Sequence, residues 1–201
     1  MVSTDLSQKL GAVLLAAGGS SRLGQAKQLV QIDGESLVLR GARNLLELQP
    51  ARVVVVTGAA AQAVGDQISS VPVQTVYNPD WSLGMGRSIA AGLAHMPSTI
   101  EGVLIMLCDQ WRVEFSDLES LARLWLSDIS RIATASWNVS DAFVYGPPAI
   151  FPRKYFRQLA CLREDKGARS VIQQNRQQLQ SILLENAAAD LDLPADLQQL
   201  D

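Results

Sequence analysis

Histidine occurs once in this 201-residue chain, at His95, and cysteine twice, at Cys108 and Cys161, with no Cys-x-x-Cys pair. So few soft ligands exclude a zinc centre and leave no framework of disulfides. Two isolated thiols fit a reducing compartment, which makes the cytoplasm the expected location. Long apolar runs are missing as well. The N-terminal one extends only from Ala12 to Ala17, shorter than a signal h-region and far below the roughly 20 residues of a helical membrane span. An excess of positive charge is also absent: 17 Lys plus Arg stand against 20 Asp plus Glu, a net charge of −3. Nucleic-acid binding draws on clustered cations, so neither nucleic acid nor a membrane is an expected partner. There is no internal repeat or low-complexity tract, which excludes solenoids and linkers.

What the chain does have is a rhythm. Residues are 48% hydrophobic and 18% charged, the balance of one globular domain spanning residues 1–201, which buries about 70% of its unfolded surface without covalent help. Short β-branched runs alternate with amphipathic stretches. Strands are expected over Ala12–Ala16, Arg52–Thr57, Val73–Tyr77, Val103–Cys108, Ile132–Ser136, Ala149–Phe151 and Ser181–Leu184. Several are apolar throughout, as strands covered on both faces must be. Helices are expected over Ser36–Leu48, Ala60–Ile68, Arg87–Ala94, Ser116–Leu126, Arg153–Leu162 and Gly167–Gln177. Ser116 followed by Glu119 reads as a capping box, and Pro152 as the opening of a helical turn. The class is α/β, with a mostly parallel central sheet and helices on both faces.

The most informative stretch is Leu14-Leu15-Ala16-Ala17-Gly18-Gly19-Ser20-Ser21-Arg22-Leu23-Gly24-Gln25-Ala26-Lys27, an apolar strand leading into a loop of small residues with two cations. Glycines let successive amides approach one anion, while Arg22 offers a planar fork and Lys27 a compact ammonium, both suited to a triphosphate. It is not a P-loop, because Gln25 and Ala26 follow Gly24 where Lys and Ser/Thr belong, and it is not Gly-x-Gly-x-x-Gly. A plain strand-to-helix turn is the alternative. Its place at the exit of the first strand favours a ligand, since open α/β sheets bind beyond the carboxyl ends of their strands.

Two further segments share that geometry. Val103–Cys108 ends abruptly in Asp109-Gln110, which puts a carboxylate at a strand tip where it can hold Mg²⁺ beside phosphates, or merely cap the next segment. Asn78 to Ser88, with Gly84 and Met85, joins a strand to a helix and offers amides to a base or phosphate, or is simply a tight turn. From Gln177 onward the chain has five acids and no Lys or Arg; such a tail is solvated surface unless Asp190 and Asp192 hold a hard cation.

Together, Leu15-Ala16-Ala17-Gly18-x-x-x-Arg22-x-Gly24-x-x-Lys27, the Asn78–Ser88 loop and Leu107-Cys108-Asp109-Gln110 resemble the molybdenum cofactor cytidylyltransferase family. The likeness continues through Gly146-Pro147-Pro148-Ala149-Ile150-Phe151, Asp165-Lys166-Gly167-Ala168-Arg169 and Asp190-Leu191-Asp192, nearly the whole chain. The resemblance implies a Rossmann-like nucleotidyltransferase fold that transfers CMP from CTP to the phosphate of molybdopterin with release of pyrophosphate. It implies nucleotide binding by Leu15, Ala16, Ala17, Gly18, Gly19, Ser20, Ser21, Arg22, Lys27, Asn78, Gly84 and Met85. Arg22, Lys27 and Asp109 would be catalytic, and Asp109 with Asp192 would hold Mg²⁺. The acceptor would meet Gln110, Gly146, Pro147, Lys166, Gly167 and Arg169, the last alternatively a surface side chain at a helix start. A molybdoenzyme would be the recipient of the product.

Ala16-Ala17-Gly18 looks more like the cytidylyl than the guanylyl version of the family. Trp111, Pro147 and Leu193 depart from the family pattern, where Pro, His and Thr are usual, and all three are expected on the acceptor side. Transfer of another nucleotide or to another phosphorylated acceptor, and a non-catalytic cofactor-binding or insertion factor, are the competing readings. His95 is expected to cap a helix end, and Cys108 and Trp125 to be core.

Overall fold

The computed structural model describes residues 2–20, 23–140, 142–162, 166–189 and 191, with the backbone alone for residues 2–5. In chain order the elements are α1 (Val2–Lys9), β1 (Leu10–Ala16), β2 (Gln31–Ile32), β3 (Glu35–Ser36), α2 (Leu37–Glu47), β4 (Arg52–Thr57), α3 (Ala61–Gln67) and β5 (Gln74–Tyr77). Then come α4 (Met85–Leu93), β6 (Gly102–Leu107), α5 (Phe115–Ser127), β7 (Ile132–Val139), β8 (Ala142–Pro152), α6 (Phe156–Ala160), α7 (Ala168–Gln174) and β9 (Leu179–Leu183). Among the described residues seven strands form one sheet in the order β5-β4-β1-β6-β8-β7-β9. Pairing is parallel except at β8, which runs against both β6 and β7.

Every residue of β1 is buried, because helices cover both faces and an alternating pattern would put polar groups in the core. Leu14 packs with Val38 of α2 and Leu121 of α5 on one face, while Val13 packs with Ile89 of α4, Leu159 of α6 and Val171 of α7 on the other. The mostly parallel α/β sheet read from sequence is present. From β1 the chain goes to β4 and β5 on one side, then returns to β6 on the other. That reversal lies between β1 and β6, and a crevice opens at such a point.

Several local expectations give way. The helix expected to start at Ser116 is capped by Glu114, whose side chain accepts from the Asp117 amide while Asp117 accepts from the Glu114 N–H at 3.1 Å. A carboxylate does the work assigned to a hydroxyl, and Glu119 pairs instead with Arg123 one turn on, at 2.8 Å. Pro152 closes β8, and the stretch after it divides into a 3-10 turn, Arg153–Tyr155, and the five-residue α6. β8 itself is far longer than Ala149–Phe151. Pro147 and Pro148 fall where the β7–β8 register shifts between Thr134 and Ala135, and proline is tolerated at such an irregularity because no ladder N–H is needed there. The β2–β3 hairpin turns on Asp33 and Gly34, at φ 54° and 77°, an Asp-Gly turn that the helix pattern beginning at Ser36 overshadowed.

Candidate active site

The loop after β1 is held from below by Gln28. Its buried Nε2 donates to the carbonyls of Ala16 at 3.1 Å and Gly18 at 2.7 Å, while the Lys27 N–H donates to Ser20 Oγ at 3.0 Å. Of the loop glycines only Gly24 has a positive φ, 76°, and Ser20 has one as well, 50°. The loop is therefore shaped by side-chain tethers as much as by glycine. Gln28 carried no signal in sequence beyond its place after Lys27.

Lys27 and Asp109 meet. Lys27 Nζ donates to Asp109 Oδ2, and the side chains are 18% and 10% exposed, so the pair is only partly screened by water. Register explains the meeting: Leu15 of β1 pairs with Leu107 of β6, and the Cys108 N–H donates to the Leu15 carbonyl at 3.2 Å. The two strands thus end together, and the residues following each share one space. Beside them Cys108 is buried, and desolvation first, then the Asp109 charge, pushes its thiol well above the ordinary value. It is core, as expected, and a poor nucleophile.

A cavity of about 290 Å³ opens over this pair, walled by Leu15, Ala17, Gly18, Trp81, Met85 and Ser88 among others. Through Gly18 it adjoins a second hollow of about 450 Å³, formed by Gly19, Ser20, Gly24, Ala59 and their neighbours. Ala16 is withdrawn into the sheet. Asn78 is buried and holds its own loop: Nδ2 donates to Ser88 Oγ at 3.0 Å, and Oδ1 accepts from the Asp80 N–H at 3.0 Å. Gly84 is the N-cap of α4, and Met85 its first residue. Trp81, which nothing in its loop's sequence singles out, packs so closely on Gly58 that a Cβ there would lie 2.6 Å from Trp81 Cβ.

On the far side Met85 and Leu107 also border a third cavity, about 240 Å³, with Gln110, Gly146, Pro147, Gly167 and Arg169. Gln110 lines it, yet its amide is engaged: Nε2 donates to the Pro147 carbonyl at 2.7 Å and the Ala187 carbonyl at 3.1 Å, and Oε1 accepts from the Leu107 N–H at 3.3 Å. Lys166 and Arg169 are exposed. Trp111 is not among the residues lining this cavity. It packs with Leu23, Ile32, Leu37 and Leu191, under the guanidinium of Arg112 at 4.5 Å from its ring centroid. Leu191 is buried there and donates its N–H to the Asp109 carbonyl at 3.3 Å. His95 caps α4 through Nδ1, 3.0 Å from the Ala91 carbonyl, and Trp125 is core.

Ser21, Arg22, Asp165, Asp190, Asp192 and Leu193 lie outside the described residues. Among the described residues no three His, Cys, Asp or Glu side chains gather as a metal centre, and Asp109 is the carboxylate on the central cavity wall. One carboxylate suits a hard octahedral ion that keeps phosphate oxygens and water as its other ligands, so the donor set fits Mg²⁺ arriving with a triphosphate.

A loop of small residues, a lysine and a carboxylate at the C-terminal edge of a sheet covered on both faces belong to a nucleotidyltransferase. The MobA-like NTP transferase domain matches residues 12–180, and the chain belongs to that family. It is 38% identical over 144 residues to nicotine blue oxidoreductase of Paenarthrobacter nicotinovorans, covering 71% of this chain and 68% of that protein. It is 27% identical over 195 residues to the purine catabolism protein PucB of Bacillus subtilis (strain 168), covering 92% and 91% of the two. The crystal structure of a Mycobacterium tuberculosis rv0371c homolog from mycobacterium sp. strain JC1 matches with a TM-score of 0.80 at 26% identity, over 96% of this chain and 95% of that one. Among the described residues no helix is long and apolar enough to cross a membrane.

Proposed function

We propose that this nucleotidyltransferase transfers CMP from CTP to the terminal phosphate of a molybdopterin-type acceptor in the cytoplasm, and that a molybdoenzyme receives the product. The observation that carries the reading is the Lys27–Asp109 pair on the wall of one cavity, which meets a second at Met85 and Leu107. One cavity continues into the glycine-containing loop and suits a triphosphate. The other, across Met85 and Leu107, suits the acceptor.

In the reaction an acceptor phosphate oxygen attacks the α-phosphorus of CTP. The bond from that phosphorus to the oxygen bridging to the β-phosphate breaks, and pyrophosphate leaves with the electron pair. The nucleophile is already ionised at neutral pH, so no general base is required. Positioning and charge neutralisation remain the task. Lys27 follows the negative charge that builds on the leaving group in this reading, with Arg22, five positions earlier in the chain, as its companion. Asp109, with Asp192, would hold Mg²⁺, which when bound neutralises phosphate charge.

The test is pyrophosphate release on incubation with molybdopterin, Mg²⁺ and each nucleoside triphosphate in turn. Release with CTP is expected. Release with GTP alone would reassign the donor, and molybdopterin binding without release from any nucleotide would make the protein a cofactor-binding factor.

A further inference from the structure

Trp137 sits on β7 and no motif marks it. Its indole lies against Gly146 of β8, where an added Cβ would come within 2.8 Å of Cη2 and 3.5 Å of Cζ3. A side chain at 146 would push the ring away, so the glycine seats it on bare backbone. Trp137 is half-buried, anchored on the core on one side, and it borders the 240 Å³ cavity. The cavity is smaller than the roughly 300 Å³ at which pockets for drug-sized ligands begin, and it suits one flat ring system. Its other apolar surfaces come from Met85, Leu107 and Pro147, and its cation from Arg169. With the Gln110 amide tied to two backbone carbonyls, the cavity offers a ring its faces more than its hydrogen bonds.

Resting on the proposed transferase reading, we infer that Trp137 is the stacking platform against which the acceptor lays its flat ring. The ring lies against the indole, and the phosphate extends past Met85 and Leu107, the two residues this cavity shares with the one over Lys27 and Asp109. A π-face attracts any flat heterocycle, which lets the site dispense with a polar side chain at Pro147.

The test titrates the full chain with 6-hydroxymethylpterin, a ring without phosphate, by calorimetry. Trp137→Leu keeps an apolar side chain but removes the π-face, and is expected to weaken the probe about 10- to 100-fold. Trp137→Phe is expected to stay within about threefold of the native protein, and both variants to bind CTP as the native protein does. Equal affinity of the native and Trp137→Leu proteins for the pterin, or no binding by the native protein, overturns the platform. The probe needs no turnover. Pterin binding that depends on Trp137, with no pyrophosphate from any nucleotide, overturns the transferase reading and leaves the platform standing. Pyrophosphate release with an acceptor KM unchanged in Trp137→Leu does the reverse.

Discussion

The side-chain amide of Gln110, one residue beyond Asp109, donates to the Pro147 carbonyl 37 positions later, at 2.7 Å. This bond ties the tip of β6 to the irregular stretch of β8 and so fixes the carboxylate relative to the third cavity. Gln110→Leu removes it together with the bonds to Ala187 and Leu107, leaving buried backbone groups without partners. A loss of about 2–4 kcal/mol of stability is expected in urea titration.

Lys27→Ala and Asp109→Asn should act on turnover rather than folding. An electrostatic contact realised in the transition state accounts for roughly 10²- to 10³-fold in rate, whereas the part-buried pair lines a cavity and its loss costs little packing. Pyrophosphate release should fall by at least that factor, with the urea midpoint nearly unchanged. A collapse of stability in both variants would make the pair structural.

Gln28→Ala should loosen the first loop, because the carbonyls of Ala16 and Gly18 lose their donor. The expected outcome is a raised KM for the nucleotide, with amide exchange accelerated at Gly18 and Gly19, and a loss of about 1–3 kcal/mol in stability.

The two thiols should differ sharply. Cys161 is exposed and Cys108 buried, so a thiol reagent at pH 8 should label one site in the native protein and two in urea. Burial also links Cys108 to pH. Its thiol is raised in the folded chain above the ordinary 9.0 of an unfolded one, so above about pH 9 the unfolded chain gives up a proton that the native state keeps. Stability therefore falls as pH rises past that value. In Cys108→Ala this part of the alkaline loss should vanish from urea titrations at pH 8 and 10.

Trp111→Ala should expose the Leu191 amide. The side chain packs in the small cluster that buries Leu191 next to Asp109, so hydrogen exchange at that amide should quicken while the β1 and β6 amides stay protected.

Much of the fold was legible because it is written locally. Uninterrupted apolar runs at 103–107 and 53–56 mark strands covered on both faces, and Asp109 at a strand tip is a change of residue type visible in a few positions. The α5 cap at Glu114 and the β2–β3 turn were equally local, but stronger neighbouring patterns masked them. The long β8 was hidden by Pro147 and Pro148, since their tolerance depends on where the β7 register shifts.

By itself the sequence determined which segments form the sheet and which loops leave its C-terminal edge, because hydrophobic period and turn residues act within a few positions of one another. Only the tertiary structure decided which side chains meet there. Lys27 reaches Asp109 across 82 positions, and Gln110 reaches Ala187 across 77. Trp137 finds its seat on Gly146 through the pairing of β7 with β8. Such partners depend on strand order and register, which are settled by how whole faces pack and not by any single stretch of chain.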